Sequence, residues 1–255
     1  GIARFDLLKK INSSEILSNK ENEEFEIMKK RLHQICAKAK KMQVPILIDA
    51  EESWIQDAID QLVEEMMINY NKDNVIVYNT IQLYRWDKLK YIKHIHKKAQ
   101  NKKYKLGLKL VRGAYMEKER KRAKSKKYQS PIHINKKKCD KDYNEAAKYC
   151  LEHINDIAIC FGTHNEESTQ IAIQLMKNNN IENDDPRIYF SQLLGMSDNI
   201  SYYLAYHKYN IAKYVPYGPI KEVLPYLIRR AEENSSISGQ TNREIKRIRD
   251  AIKKH

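Results

Sequence analysis

Apolar residues recur along this chain in two rhythms, one of helical spacing and one of short unbroken runs. Phe25, Met28, Leu32, Ile35 and Ala39 stand at helical intervals among Lys and Glu and predict a helix over 18–42. Val44 and Pro45 then open an apolar run of strand length, 46–49. The alternation repeats: a helix through Ile55, Ile59, Leu62, Val63 and Met66, a strand over 75–78, a helix over 86–99 and a strand over 106–111. Helices from Tyr115 and from Asp142 lead to a strand over 157–161. A helix over 167–176, a strand over 188–190, a helix over 198–206, a strand over 211–214 and a last helix complete the order. This rhythm predicts βαβ units, a parallel sheet and ligands at the carboxyl ends of the strands, with about six units where a closed (β/α)8 barrel needs eight.

The last helix carries two faces. It follows the turn Val215-Pro216-Tyr217-Gly218 and places Pro219 at its first position, where a missing N–H costs nothing. Tyr226, Arg229, Arg230 and Glu233 then share one polar stripe, and Ile220, Val223, Leu224, Leu227 and Ala231 form an apolar one about 130° away. The polar stripe reads in two ways. It is a solvated face with an Arg229–Glu233 pair, or two planar donors presented to a carboxylate or phosphate.

Composition narrows the classes. The chain has 255 residues, a formal net charge of +14 and a pI near 9.4, which raises nucleic acid or an anionic membrane as a partner. Its lysines are spread over the whole length, however. The one dense run, 118–141, has no nucleic-acid reading motif and no interleaved stacking aromatics. That run is expected to be a helix end and surface loop, or a patch for anionic lipid. Cys36, Cys139, Cys150 and Cys160 lack CxxC spacing and a matching histidine pair, so structural thiols are expected, and no metal site. No apolar run reaches the roughly 20 residues of a membrane span, and no cleavable targeting segment is visible.

Chemistry gathers where the predicted strands end. Asp49 closes one in DAEES and Gln82 another in NTIQLY; Lys109, Arg112 and Tyr115 cluster in KLVRGAY. Thr163, His164 and Asn165 follow a strand in GTHNEES, Gln192 lies in FSQLLGM, and Tyr214 precedes the last helix. Gly113 and Gly195 would let a ligand approach the backbone. Asp49 also reads as a helix N-cap, His164 as a satisfied core histidine, and Lys109 and Arg112 as a wet rim.

The strings DAEES, KLVRGAY, THN, SQLLGM, and YVPYGP followed by PYLIRRAEEN resemble the proline dehydrogenase family, in its eukaryotic mitochondrial branch, and run in the family's order from about Glu24 onward. The resemblance implies a single catalytic domain over 1–255 on a (β/α)8 TIM-like barrel. Its activity would be FAD-dependent oxidation of L-proline to Δ1-pyrroline-5-carboxylate, with electrons passed to ubiquinone at the matrix side of the mitochondrial inner membrane. It puts Arg229 and Arg230 on the substrate carboxylate, with Asp49, Leu110, Tyr115, Tyr214 and Tyr226 around the substrate. The flavin side falls on Gln82, Lys109, Val111, Arg112, Gly113, Thr163, His164, Asn165, Gln192, Arg230 and Glu233. Lys109 stands where bacterial relatives carry Arg. With no dedicated general base among these residues, the amine is expected to lose its proton to water before hydride transfer.

The family barrel has two more strands before the one ending at Asp49, the second bearing an active-site lysine. Residues 1–12 are therefore expected to hold a remnant of that strand, with Lys9 or Lys10 in the lysine's place, in a barrel lacking one or two N-terminal strands. Two alternatives accompany this reading. Hydroxyproline dehydrogenase shares most motifs but tends to carry a small residue where this chain has Tyr214, and a catalytically inactive fragment would lack a flavin spectrum.

Overall fold

A computed structural model describes residues 3–221 together with 223, 224, 227 and 228. Two helices, α1 (Phe5–Asn12) and α2 (Asn19–Met42), precede β1 (Ile46–Ile48). There follow α3 (Ser53–Tyr70), β2 (Val77–Gln82), α4 (Lys88–Lys102), β3 (Leu106–Val111), α5 (Met116–Lys126) and α6 (Lys136–Glu152). The order closes with β4 (Ile157–Gly162), α7 (Glu166–Asn178), β5 (Ile188–Leu193), α8 (Asp198–Tyr206) and β6 (Ile211–Tyr214). Strand order in the sheet is chain order, β1 to β6, and the registered pairs from β1 to β5 are all parallel. This is the topology of a partial (β/α)8 barrel.

Two compact units divide the chain, Gly1–Lys213 and Tyr214–His255. In the second, the Val223 N–H donates to the Pro219 carbonyl at 3.1 Å, which closes the first turn of the foreseen helix. Tyr226, Arg229, Arg230 and Glu233 lie outside the described residues.

Strand alternation decides which side chains meet the helices in the first unit. Ile81, Leu110, Phe161 and Phe190 are each at most 1% exposed and join Leu106, Leu108, Ile157 and Ile159 in one apolar cluster with the inward stripes of α2, α3, α4, α6 and α7. Each fully buried side chain of this size contributes roughly 1.5–3 kcal/mol. Register puts Thr80, Lys109, Cys160 and Tyr189 on the opposite face, and none of them belongs to that cluster. Polar side chains are therefore concentrated on the face the helices leave uncovered.

The N-terminal expectation is overturned. Residues 5–12 form a helix, because Leu7, Leu8 and Ile11 make a helical stripe with Leu7 and Leu8 buried, Asp6 lies in the first turn and Lys9 and Lys10 in the last. Asn12 Oδ1 accepts the N–H groups of Asp57 and Ala58 at 2.9 and 3.2 Å, which docks α1 on α3. Lys10 pairs with Glu21 at 2.6 Å, so it is engaged with α2 and not with a strand end. The basic run 118–141 holds the remainder of α5, the connection over 127–135 and the start of α6, so the expected helix end and loop are joined by the first turns of a second helix. Among the described residues, no helix is long and apolar enough to cross a membrane.

Candidate active site

The C-terminal ends of β1 and β3 bring Asp49 and Lys109 together. Lys109 Nζ donates to Asp49 Oδ1 at 2.8 Å across 60 residues of chain, on the helix-free face. Asp49 is thus an ion-pair partner and not the cap of α3, whose N-cap position is Glu52. Beside Lys109 in the register, Thr80 is 4% exposed and its hydroxyl has no hydrogen-bond partner among the described residues. Cys160 lies on Lys109's other side, and burial pushes its thiol up to about 11.

A second cluster forms around the loop between Asp49 and α3. The Tyr115 hydroxyl donates to Glu51 Oε2 at 2.5 Å, and Gln82 Nε2 donates to the Glu51 carbonyl at 2.7 Å. Glu119, fully buried, accepts the Ser53 N–H and hydroxyl at 2.6 and 2.7 Å, and Lys118 pairs with Glu52. None of these acidic partners was singled out by the strand-end pattern. The signal available for them was only their place in DAEES and YMEKE, at the starts of two adjacent helices.

Arg112 is the hub of a third. Its Nε donates to Asp140 at 2.7 Å, Nη1 to Thr163 Oγ1 at 2.8 Å and Nη2 to Ser168 Oγ at 2.9 Å, while its guanidinium lies 4.5 Å from the centre of the Tyr143 ring. Burial raises the Asp140 carboxyl, but hydrogen bonds from Lys136 and Arg112 outweigh it and hold the group below its ordinary value. Asn165 caps α7 by accepting the Ser168 N–H at 2.8 Å. Gln192 is fixed between the Thr163 carbonyl at 3.4 Å and the Ser201 hydroxyl at 3.1 Å, and His164 Nδ1 lies 3.1 Å from Ser197 Oγ. Arg112 is therefore no wet rim. It ties the ends of β3 and β4 to α6 and α7.

Leu110 and Gly113 are both packed against the protein itself. Leu110 is fully buried in the helix-side cluster, on the opposite face of β3 from Lys109. Gly113 does meet a close neighbour, but within the protein. At φ +128°, an added Cβ would lie 2.6 Å from the Tyr84 ring. Val111 shares the Lys109 face and is half-buried.

Comparison with known proteins identifies the family. The family described as proline dehydrogenase matches residues 4–243. This chain belongs to the proline dehydrogenase family. Among curated members, "Proline dehydrogenase 1, mitochondrial" of Drosophila melanogaster is 38% identical over 245 residues, which is 92% of this chain and 36% of that protein. The human protein of the same name is 38% identical over 229 residues, 88% of this chain and 38% of its own length. This chain therefore spans well under half the length of these two relatives. Among solved structures, proline utilization A from Bdellovibrio bacteriovorus, inactivated by N-propargylglycine, superposes with a TM-score of 0.77 at 26% identity and covers 85% of this chain and 22% of that one. The proline dehydrogenase fold thus accounts for the sheet order.

Proposed function

We propose that this chain catalyses the FAD-dependent oxidation of L-proline to Δ1-pyrroline-5-carboxylate and passes the electrons to ubiquinone. The observation that carries the reading is the Asp49–Lys109 pair at the strand ends, 2.8 Å apart, in a chain of this family. Proline has a carboxylate, a ring nitrogen and an apolar rim, so its site needs cationic forks, an acceptor and flat walls. Asp49 and Tyr115 supply acceptors for the ring nitrogen. Arg229, Arg230, Tyr226 and Tyr214 are assigned to carboxylate and ring by motif, as is Glu233 to the flavin side.

The residues present fit a flavin. A heteroaromatic with carbonyl and ring-nitrogen acceptors along its edge calls for donors, and the helix-free face offers the Lys109 ammonium with, beside it, the Thr80 hydroxyl that has no partner among the described residues. Lys109, Gln82, Val111, Thr163, His164, Asn165 and Gln192 would hold the cofactor, with Arg112 and Gly113 shaping the strand ends behind it. When bound, FAD supplies the acceptor for the hydride leaving the ring carbon next to nitrogen. The protein's part is to neutralise and orient the substrate and to exclude water. The mitochondrial names of the relatives support a mitochondrial location, and an acceptor dissolved in the bilayer agrees with contact at the matrix face of the inner membrane.

The test is direct. The purified chain should show a flavin absorbance spectrum that bleaches anaerobically on addition of L-proline, with kcat/KM for proline above that for hydroxyproline. A flavin-loaded chain that proline leaves oxidised overturns the proposal.

A further inference from the structure

We infer that Glu51 is a positioning residue that sets the Tyr115 phenol and the Gln82 amide in one frame, an inference that rests on the reading of Tyr115 as a substrate contact. All three polar groups of Glu51 are engaged. Its carboxylate accepts from Tyr115 at 2.5 Å, its carbonyl accepts from Gln82 Nε2 at 2.7 Å, and its N–H donates to Gln56 Oε1 at 2.8 Å. One residue thus links the side assigned to substrate with the side assigned to cofactor.

The link is anchored in the core. Gln56 is fully buried, and its amide donates to Asp60 Oδ1 at 2.8 Å, where Asn79 Nδ2 donates as well. Asp60 Oδ2 accepts from Lys88 Nζ at 2.8 Å, and the two side chains are 6% and 4% exposed. Losing one partner of such a pair strands a buried charge, so the anchor does not drift. On the other side, Ser53 and Glu52 are gripped by Glu119 and Lys118 in the first turn of α5, the helix that Tyr115 precedes. The loop carrying Asp49 is therefore set from both flanks.

The chemistry follows from the proton count. A neutral phenol has one O–H, and in this contact it is directed at the Glu51 carboxylate. With that proton committed, Tyr115 Oη can meet a ligand N–H only as an acceptor. Glu51 in this way decides both where the phenol stands and which hydrogen-bonding role it plays.

A double-mutant cycle tests the inference. Glu51→Gln keeps the shape but removes the charge, and kcat/KM for L-proline is expected to fall about fivefold. In a Tyr115→Phe background the same replacement should change kcat/KM less than about twofold, because the contact is already gone. Additive losses overturn the inference. A second readout needs neither flavin nor turnover: the chain is labelled with 3-fluorotyrosine, and the Tyr115 resonance is assigned by its absence in Tyr115→Phe. Glu51→Gln is expected to move that resonance in the flavin-free chain, and an unmoved resonance overturns the inference. A flavin-loaded wild type that does not oxidise proline overturns the functional reading instead, and the fluorine shift still decides the contact.

Discussion

At Gly113 two constraints coincide, a φ of +128° that an L side chain rarely adopts and a Tyr84 ring where a Cβ would stand. Tyr84 is itself fixed, since its N–H donates to the Arg112 carbonyl at 2.7 Å and its carbonyl accepts the His133 N–H at 2.8 Å. Gly113→Ala is therefore expected to lower stability by about 2–3 kcal/mol through strain and overlap together. Urea unfolding measures it, and an unchanged midpoint would show that the ring yields freely. KLVRGAY displays its glycine plainly in the sequence, but not the reason for it. The close neighbour arrives from 29 residues earlier in the chain, and nothing in the local pattern points to it. Leu110 is placed by alternation and not by its neighbours in sequence. It follows Lys109 directly in the sequence, and the alternation of β3 turns it towards the helices.

Elements with strong local signals were legible to the residue. β3, α8 and β6 have the bounds the sequence pattern predicts; Lys105 and Arg112 bracket β3, Ser197 and His207 bracket α8, and β6 stops shortly before Pro216. β2 was misjudged: the run over 75–78 was expected, and the strand is Val77–Gln82. Asn79 and Gln82 look like loop, yet Asn79 bonds Asp60 and Gln82 bonds Glu51, which makes their burial tolerable. α1 was misread for want of context, as eight residues are too few to separate a helix from a strand by pattern. The start of α2 is, by contrast, written in the chain. Ser18 and Glu21 form a reciprocal capping box, and hydrogen bonds from Lys10 and Ser18 hold the Glu21 carboxyl down to about 2. Ser18→Ala should cost about 1 kcal/mol, read as a lower thermal midpoint, while Ser18→Asp should recover most of it. Equal losses in both variants would show that the cap contributes nothing.

For the whole molecule, burial of ionisable groups sets a limit on the alkaline side. All four cysteines are free and buried, and burial raises Cys36, Cys139 and Cys160 to about 11 and Cys150 to about 12 from 9.0. Burial likewise raises Tyr78, Tyr91, Tyr104 and Tyr143. These groups keep their protons in the folded state above the pH at which the unfolded chain releases them. Their contribution is complete below about pH 9 and lost as pH climbs towards 11 and beyond. Stability is expected to fall by about 1 kcal/mol or more between pH 8 and pH 10, measured by urea midpoints, and Cys150→Ala should lessen the fall. A flat profile would mean that the thiols are not shielded. The sheet has a consequence of another kind. Since every strand lies beside its neighbour in sequence, no part of the sheet waits for a distant segment, and the loops to be closed are short. On a translating ribosome, each βα unit can dock on the edge left by the one before it as soon as it clears the exit tunnel. The sheet is thus built by addition at a growing edge, and the polar strand ends are completed one after another in the order of synthesis.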